Sequence, residues 1–187
     1  GSYQLVTNDS TLQAGDKIVI ANKEKSVVAC DIPVDKVYLD KTTATFSDDG
    51  SNITSLPNEA LVFTLGGTSG AWTLNNESGQ LLGATSEKNL DWYAEPTTGK
   101  TTWSISISNN DATIQNETES YGRFLYNVTS PRFNTYGSGT DISAGKMLLP
   151  QIYKLVPIQV EAKNIFFGDY ISGDFDPNSI DTVGDVS

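Results

Sequence analysis

Residues 63–93, "FTLGGTSGAWTLNNESGQLLGATSEKNLDWY", align with residues 103–136, "WSISISNNDATIQNETESYGRFLYNVTSPRFNTY". The offset is about forty residues. Phe63 falls on Trp103, Leu65 on Ile105, and "WTLNNE" (72–77) on "ATIQNE" (112–117). After a small insertion "GQLL" (79–82) meets "GRFL" (122–125), and with one gap "LDWY" (90–93) meets "FNTY" (133–136). Self-similarity at a fixed period means that one supersecondary unit is used repeatedly, and this narrows the possible folds more than composition does.

Each unit is built from short apolar runs rich in Val, Ile, Thr, Tyr, Phe and Trp, the residues that fit a pleated surface. "TWSISI" (102–107) alternates large and small side chains, the period-2 mark of a half-buried strand. The runs are separated by "DDGSN", "GGTSG", "NNESG", "TTGK" and "SNND". In such turns glycine supplies positive φ, and Asn and Asp bond the backbone through their side chains. No window carries a helical period, so the chain reads as all-β.

A weaker third copy lies upstream, in "DKIVIANKEKSVVAC" (16–30) and "KVYL" (36–39), and "QIYKL" (151–155) reads as a closing strand. Three units of four strands predict about twelve short strands, the count of a β-trefoil-like closed barrel. Closure would leave no sheet edge exposed. A β-sandwich is the alternative. On this reading residues 1–157 form the domain. Residues 158–187 form an ordered acidic extension or the start of a second, truncated domain.

The 187 residues suffice for a sizeable core, and the single cysteine, Cys30, excludes an internal disulfide. The chain contains no histidine, which removes Ser-His-Asp, Cys-His and His-ligated zinc chemistry. Its net charge of −11 repels phosphate backbones, so nucleic acid is not expected as a partner. No run approaches the roughly 18 apolar residues of a membrane span, so membrane insertion is not expected either. Close carboxylate pairs such as Asp174 with Asp176 occur outside any recognisable motif, which makes a glycoside hydrolase the third choice of function.

Binding is the better-supported class. Sugar rings stack on Trp and Tyr faces, while Asp and Asn take hydroxyl hydrogen bonds. "NLDWYAEP" (89–96) holds that mixture in Asn89, Asp91, Trp92 and Tyr93. Since neighbours on a strand face opposite ways, one of Trp92 and Tyr93 is expected in the core and the other at the surface. Trp72, Trp103, Phe124, Leu125 and Phe133 read as core. Tyr126, Asn127, Arg132, Asn134 and Tyr136 are then left facing outward, and Tyr126, Asn134 and Tyr136 join the candidate ligand-binding set. In the tail, "GDFDPNSID" spaces Asp174, Asp176 and Asp181 so that their oxygens could wrap a Ca²⁺, although the glycine and glutamate of a full calcium loop are missing.

The set "FTLGGTSGAWTL", "GQLLGAT", "LDW", "TTWSISIS", "ATIQN", "YGRFLYN", "PRFNTY" and "MLLPQIYKL" resembles the β-trefoil-like accessory module of secreted or surface multidomain bacterial proteins, found beside extracellular nuclease, adhesion and Ig-like domains. The resemblance covers about residues 12–156. It implies a non-catalytic recognition module outside the cell or on its surface, monomeric or part of a larger chain, that binds a glycan or a cell-surface protein. A structural spacer without a small-molecule ligand is the alternative. The Gln-x-Trp of sugar-binding trefoils is not kept: the equivalent triplets read Phe63-Thr64-Leu65, Trp103-Ser104-Ile105 and Ile152-Tyr153-Lys154. Five Asn-x-Ser/Thr triplets begin at Asn8, Asn52, Asn76, Asn116 and Asn127, and the resemblance makes them a product of composition, not glycan acceptors.

Overall fold

The computed structural model describes residues 1–157; the proposed calcium ligands Asp174, Asp176 and Asp181, and the extension that carries them, lie outside the described residues. The strands are β1 (Ser2–Leu5), β2 (Lys17–Asn22), β3 (Val27–Ala29), β4 (Lys41–Thr43), β5 (Thr45–Phe46), β6 (Asn52–Ser55), β7 (Phe63–Thr68) and β8 (Ala71–Asn75). They continue as β9 (Leu81–Ser86), β10 (Asn89–Tyr93), β11 (Trp103–Ser108), β12 (Asp111–Asn116), β13 (Arg123–Asn127), β14 (Arg132–Tyr136), β15 (Met147–Leu148) and β16 (Gln151–Val156). Two single 3₁₀ turns, Asp9–Thr11 and Glu119–Tyr121, are the helical content of the described residues. The fold is all-β, and every ladder among the described residues is antiparallel.

The two matching segments fold alike. β7 pairs with β8 and β11 with β12 as tight hairpins, and β9–β10 and β13–β14 follow as second hairpins. β16, β2 and β3 repeat the pattern with strands drawn from both ends of the domain. The alignment of "GQLL" with "GRFL" is off by one residue. Asn75 pairs with Leu81 as Gln115 pairs with Arg123, so Leu82, not Leu81, stands where Phe124 does. Leu82 and Phe124 are both fully buried in the same cluster. A one-residue slip exchanges the faces of a strand, so the register is set by which leucine is needed inside.

The expected closed barrel is not formed as a continuous ladder. The path of paired strands is open, running from β14 to β5. Adjacent units meet at Ile18–Phe63 and at Trp72–Trp103, but no ladder joins β12 to β16. There the contact is one backbone hydrogen bond, in which Ala112 N–H donates to the Pro150 carbonyl at 2.8 Å. Proline has no N–H and cannot return the bond. The strand expected at "KVYL" is also absent: residues 36–38 are loop, and only Leu39 forms a bridge, with Phe133.

One core cluster draws on all the units, with Leu65, Ile105 and Ile152, the partners of Leu74, Ile114 and Ile20, at equivalent places and buried. Trp72, Phe124 and Phe133 join it as expected. Burying each of the large side chains contributes roughly 2 kcal/mol or more. A second cluster lies on the opposite face of β2. Ile18 and Ile20 point into the first cluster, whereas Val19 and Ala21 pack with Tyr153, Ile53 and Ala44 in the second. Tyr3, Leu5 and Phe46 complete it, so β1, β5 and β6 lay a second layer over β2 and β16, a sandwich-like arrangement.

Candidate functional site

The seven candidate ligand-binding residues do not share one surface. On β10, Asn89 and Asp91 are exposed, and Trp92 and Tyr93 are half-buried. Trp92 packs on the core with its ring 6.2 Å from that of Phe63. Tyr93 lies over Gly83, leaving no room there for even a methyl group. Tyr126, Asn134 and Tyr136, expected to face outward, are buried. Tyr126 stacks on Phe133 at 4.9 Å. Asn134 donates from Nδ2 to the Val37 carbonyl and accepts from Thr135 N–H through Oδ1. The Tyr136 hydroxyl accepts from Asn127 Nδ2, and the Lys88 ammonium stands 5.9 Å from its ring centre.

These three residues belong to a junction between β10, β13, β14 and the 37–39 segment. Leu39 and Phe133 form a bridge there, Leu90 N–H donates to the Val37 carbonyl, and Lys88 N–H donates to the Thr135 carbonyl. The junction covers the outer face of β14, which strand alternation alone would leave in water.

A groove lies elsewhere, smaller but more enclosed than an open hollow of about 730 Å³ beside Lys23, Thr43 and Asp48. It has a volume of about 550 Å³ and runs between the end of β3, the loop at 57–62, the start of β7 and the turn at 76–78. That volume falls within the roughly 300–1,000 Å³ usual for small-molecule sites. Its apolar and aromatic lining comes from Tyr3, Leu61, Val62 and Leu155. Its walls carry Lys17, Asp31, Asn58, Glu59, Asn76 and Glu77.

Backbone bonds fix these walls. Leu61 N–H donates to the Ala29 carbonyl and Cys30 bridges Ala60, which zips the 57–61 loop onto β3 and sets Glu59 beside Asp31. Asn76 Oδ1 accepts from Ser78 N–H and Gln80 N–H, which holds the turn bearing Glu77. The Lys17 ammonium donates to Thr64 Oγ1 at 2.9 Å. Asp31 Oδ1 accepts from Ile32 N–H at 2.7 Å and from the Trp92 indole Nε1–H at 2.8 Å. Trp92 thus buttresses the groove wall through Asp31 and does not line the groove itself.

Beneath this wall, burial first and then the Asp40 and Glu59 carboxylates push the Cys30 thiol up to about 11. A thiol held protonated is a poor nucleophile. No cluster of three or more metal-ligating side chains forms among the described residues, and no described helix is long and apolar enough to cross a membrane.

No sequence motif marked this groove. "PNE" (57–59) reads as a turn, and Asp31 ends an apolar run; their meeting depends on the pairing of Cys30 with Ala60, thirty residues apart in the chain.

No protein-family model matches the chain, and no curated protein does. Among solved structures, the fold is similar to part of a GlcNAcα1-4Gal-releasing endo-β-galactosidase from Clostridium perfringens, with a TM-score of 0.51 and 12% identity over 75% of this chain. A mosquitocidal holotoxin gives a TM-score of 0.47 and 13% identity, also over 75% of this chain. The chain spans 33% of the first protein and 17% of the second.

Proposed function

We propose that this chain is a non-catalytic recognition module that binds a glycan in the groove between Asp31, Glu59 and Glu77. The observation that carries this reading is the groove itself, whose lining brings Tyr3 and apolar side chains together with carboxylates, amides and one ammonium, the 57–61 loop being held by backbone bonds. Such a surface offers a sugar apolar contact for its C–H face and acceptors for its hydroxyls. The fold likeness supports it: the bacterial protein that shares the fold acts on a glycan, and this chain matches one third of it. With the resemblance noted in the sequence, the reading extends to an accessory module that works at the cell surface or outside the cell.

The test is a glycan array probed with the full chain, followed by the Asn58→Ala/Glu59→Ala double variant. Both side chains are exposed, so the variant should keep its melting temperature and lose at least tenfold in affinity for any glycan retained by the parent. Unchanged affinity would remove the groove from the binding site.

A second reading, a spacer or protein-contact domain, is favoured by one observation. The large hydrophobic side chains most exposed among the described residues are Val34, Val37 and Ile142, and no aromatic stands among them. A chain that retains no glycan would be assigned to that reading.

A further inference from the structure

The groove has a neighbour. A hollow of about 370 Å³ lies on the other side of Asp31 and Glu59, and those two residues line both spaces. The second hollow adds Asp40, Lys41 and Thr42, with Ile32 and Pro33 as its apolar part. A ligand that fills the groove and continues past Asp31 and Glu59 reaches the hollow next.

The charge of the combined surface is one-sided. Asp31, Asp40, Glu59 and Glu77 line it against Lys17 and Lys41. Lys17 is already committed to Thr64 Oγ1. The Cys30 thiol beneath registers the excess: Asp40, Glu59 and Asp31 each disfavour its thiolate, and Lys41 alone opposes them. Carboxylates accept strong hydrogen bonds from hydroxyls and stronger ones from ammonium groups. They repel an anionic ligand, and like-charge juxtaposition is a principal means of rejecting wrong partners.

We infer that the groove and the hollow form one channel that takes an oligosaccharide chain of neutral or amine-bearing sugars and rejects glycans bearing carboxylate or sulfate groups. The inference rests on the glycan-binding reading above and adds to it the length and charge class of the ligand.

The experiment uses the full chain on an array that presents neutral and amine-bearing oligosaccharides beside sialylated, uronate-containing and sulfated ones. Binding confined to the neutral and amine-bearing glycans, with acidic counterparts at least tenfold weaker, is the expected result. Equal or tighter binding of the acidic glycans would overturn the inference while leaving the glycan-binding reading in place. Binding to no glycan at all would overturn that reading and the inference with it. For a retained glycan, a Glu59→Lys/Glu77→Lys variant should gain at least tenfold for the acidic counterpart, and no gain would count against the charge assignment. Thr42→Trp, which fills the hollow and leaves the groove open, should bring the affinity of a hexasaccharide down to that of its disaccharide. Unchanged preference for the longer ligand would show that the hollow is not part of the channel. Melting temperatures of both variants are measured alongside, and Thr42→Leu replaces Thr42→Trp if the larger side chain prevents folding.

Discussion

Trp92 shows how much one side chain's role depends on its partners. Its ring packs toward Phe63 and its indole N–H is bound to Asp31. Trp92→Phe should keep most of the packing and lose about 1 kcal/mol with the hydrogen bond. Trp92→Ala should lose about 2 kcal/mol or more, because the half-buried ring also contributes contact area. Urea denaturation of the two variants separates these terms. Gly122 is more demanding. Its φ is +95°, and a Cβ there would run into the Tyr136 backbone. Gly122→Ala is expected to cost about 3 kcal/mol, combining backbone strain with overpacking, and the same denaturation measurement checks it.

Titration adds an alkaline limit. Tyr153 is buried and donates its hydroxyl to the Gly50 carbonyl at 2.5 Å. Burial, with a smaller effect from Asp49, pushes its phenol up to about 12 from 10.0, and the Cys30 thiol is raised to about 11 from 9.0. In both cases the folded chain holds its proton after the unfolded chain has released it. Stability is therefore fully present below pH 9 and declines from there to about pH 12. Denaturation midpoints at pH 8, 10 and 11 should fall in that order, and Tyr153→Phe should flatten the upper part of the decline.

At this scale the sequence was legible where strand periodicity decides burial, as at Trp72, Trp103 and Phe133. It was not legible at Tyr126, Asn134 and Tyr136. Alternation says that a strand has two faces, but not that another loop covers the second one, and Val37 belongs to a segment about a hundred residues upstream.

Between the elements, turn chemistry accounts for a pattern that composition left unexplained. Asn8, Asn76 and Asn116 each accept a hydrogen bond from the backbone N–H two residues on, at Ser10, Ser78 and Thr118. Three of the five Asn-x-Ser/Thr triplets are thus side-chain-to-backbone turns. Asn116 is buried and also donates to the Lys100 carbonyl, so Asn116→Ala should cost about 2 kcal/mol. The β11–β12 hairpin turns on Asn109 and Asn110, with φ of 52° and 70° between the paired Ser108 and Asp111. Both positive angles fit the mirror-image turn that follows strand twist, and Asn tolerates them where a branched residue does not. Asn110→Val should therefore lower stability by about 1–2 kcal/mol in a thermal melt.

The repeat was readable at the level of these hairpins because Phe63 and Trp103 begin both copies in phase. The first strands of the second hairpins were misaligned by one residue, whereas the second strands, 90–93 and 133–136, pair as aligned. The turns at 76–80 and 116–122 differ in length, and only the pairing of Leu81 with Asn75 and of Arg123 with Gln115 shows where the extra residues sit.

For the molecule as a whole, the meeting of β12 and β16 is the weak line. It holds one backbone hydrogen bond at Pro150, reinforced by Gln151 Nε2 donating to Asp111 Oδ1 at 2.8 Å. Hydrogen exchange followed by mass spectrometry should show the 109–116 segment exchanging faster than β2, whose ladder with β16 is continuous. Gln151→Leu should widen that difference, and an unchanged exchange rate would mean that packing, not this side chain, holds the line.

The burial of both faces of β2 sets the three units apart. β8 and β12 each bury one row of side chains and leave Thr73 and Asn75, or Thr113 and Gln115, partly in water. β2 buries every residue from Ile18 to Asn22. Evolution or an engineer can therefore rewrite the outer rows of the second and third copies to acquire new contacts, whereas the first copy, clamped between two cores, is bound to stay apolar. Any new specificity added to this scaffold will accumulate on two of its three copies.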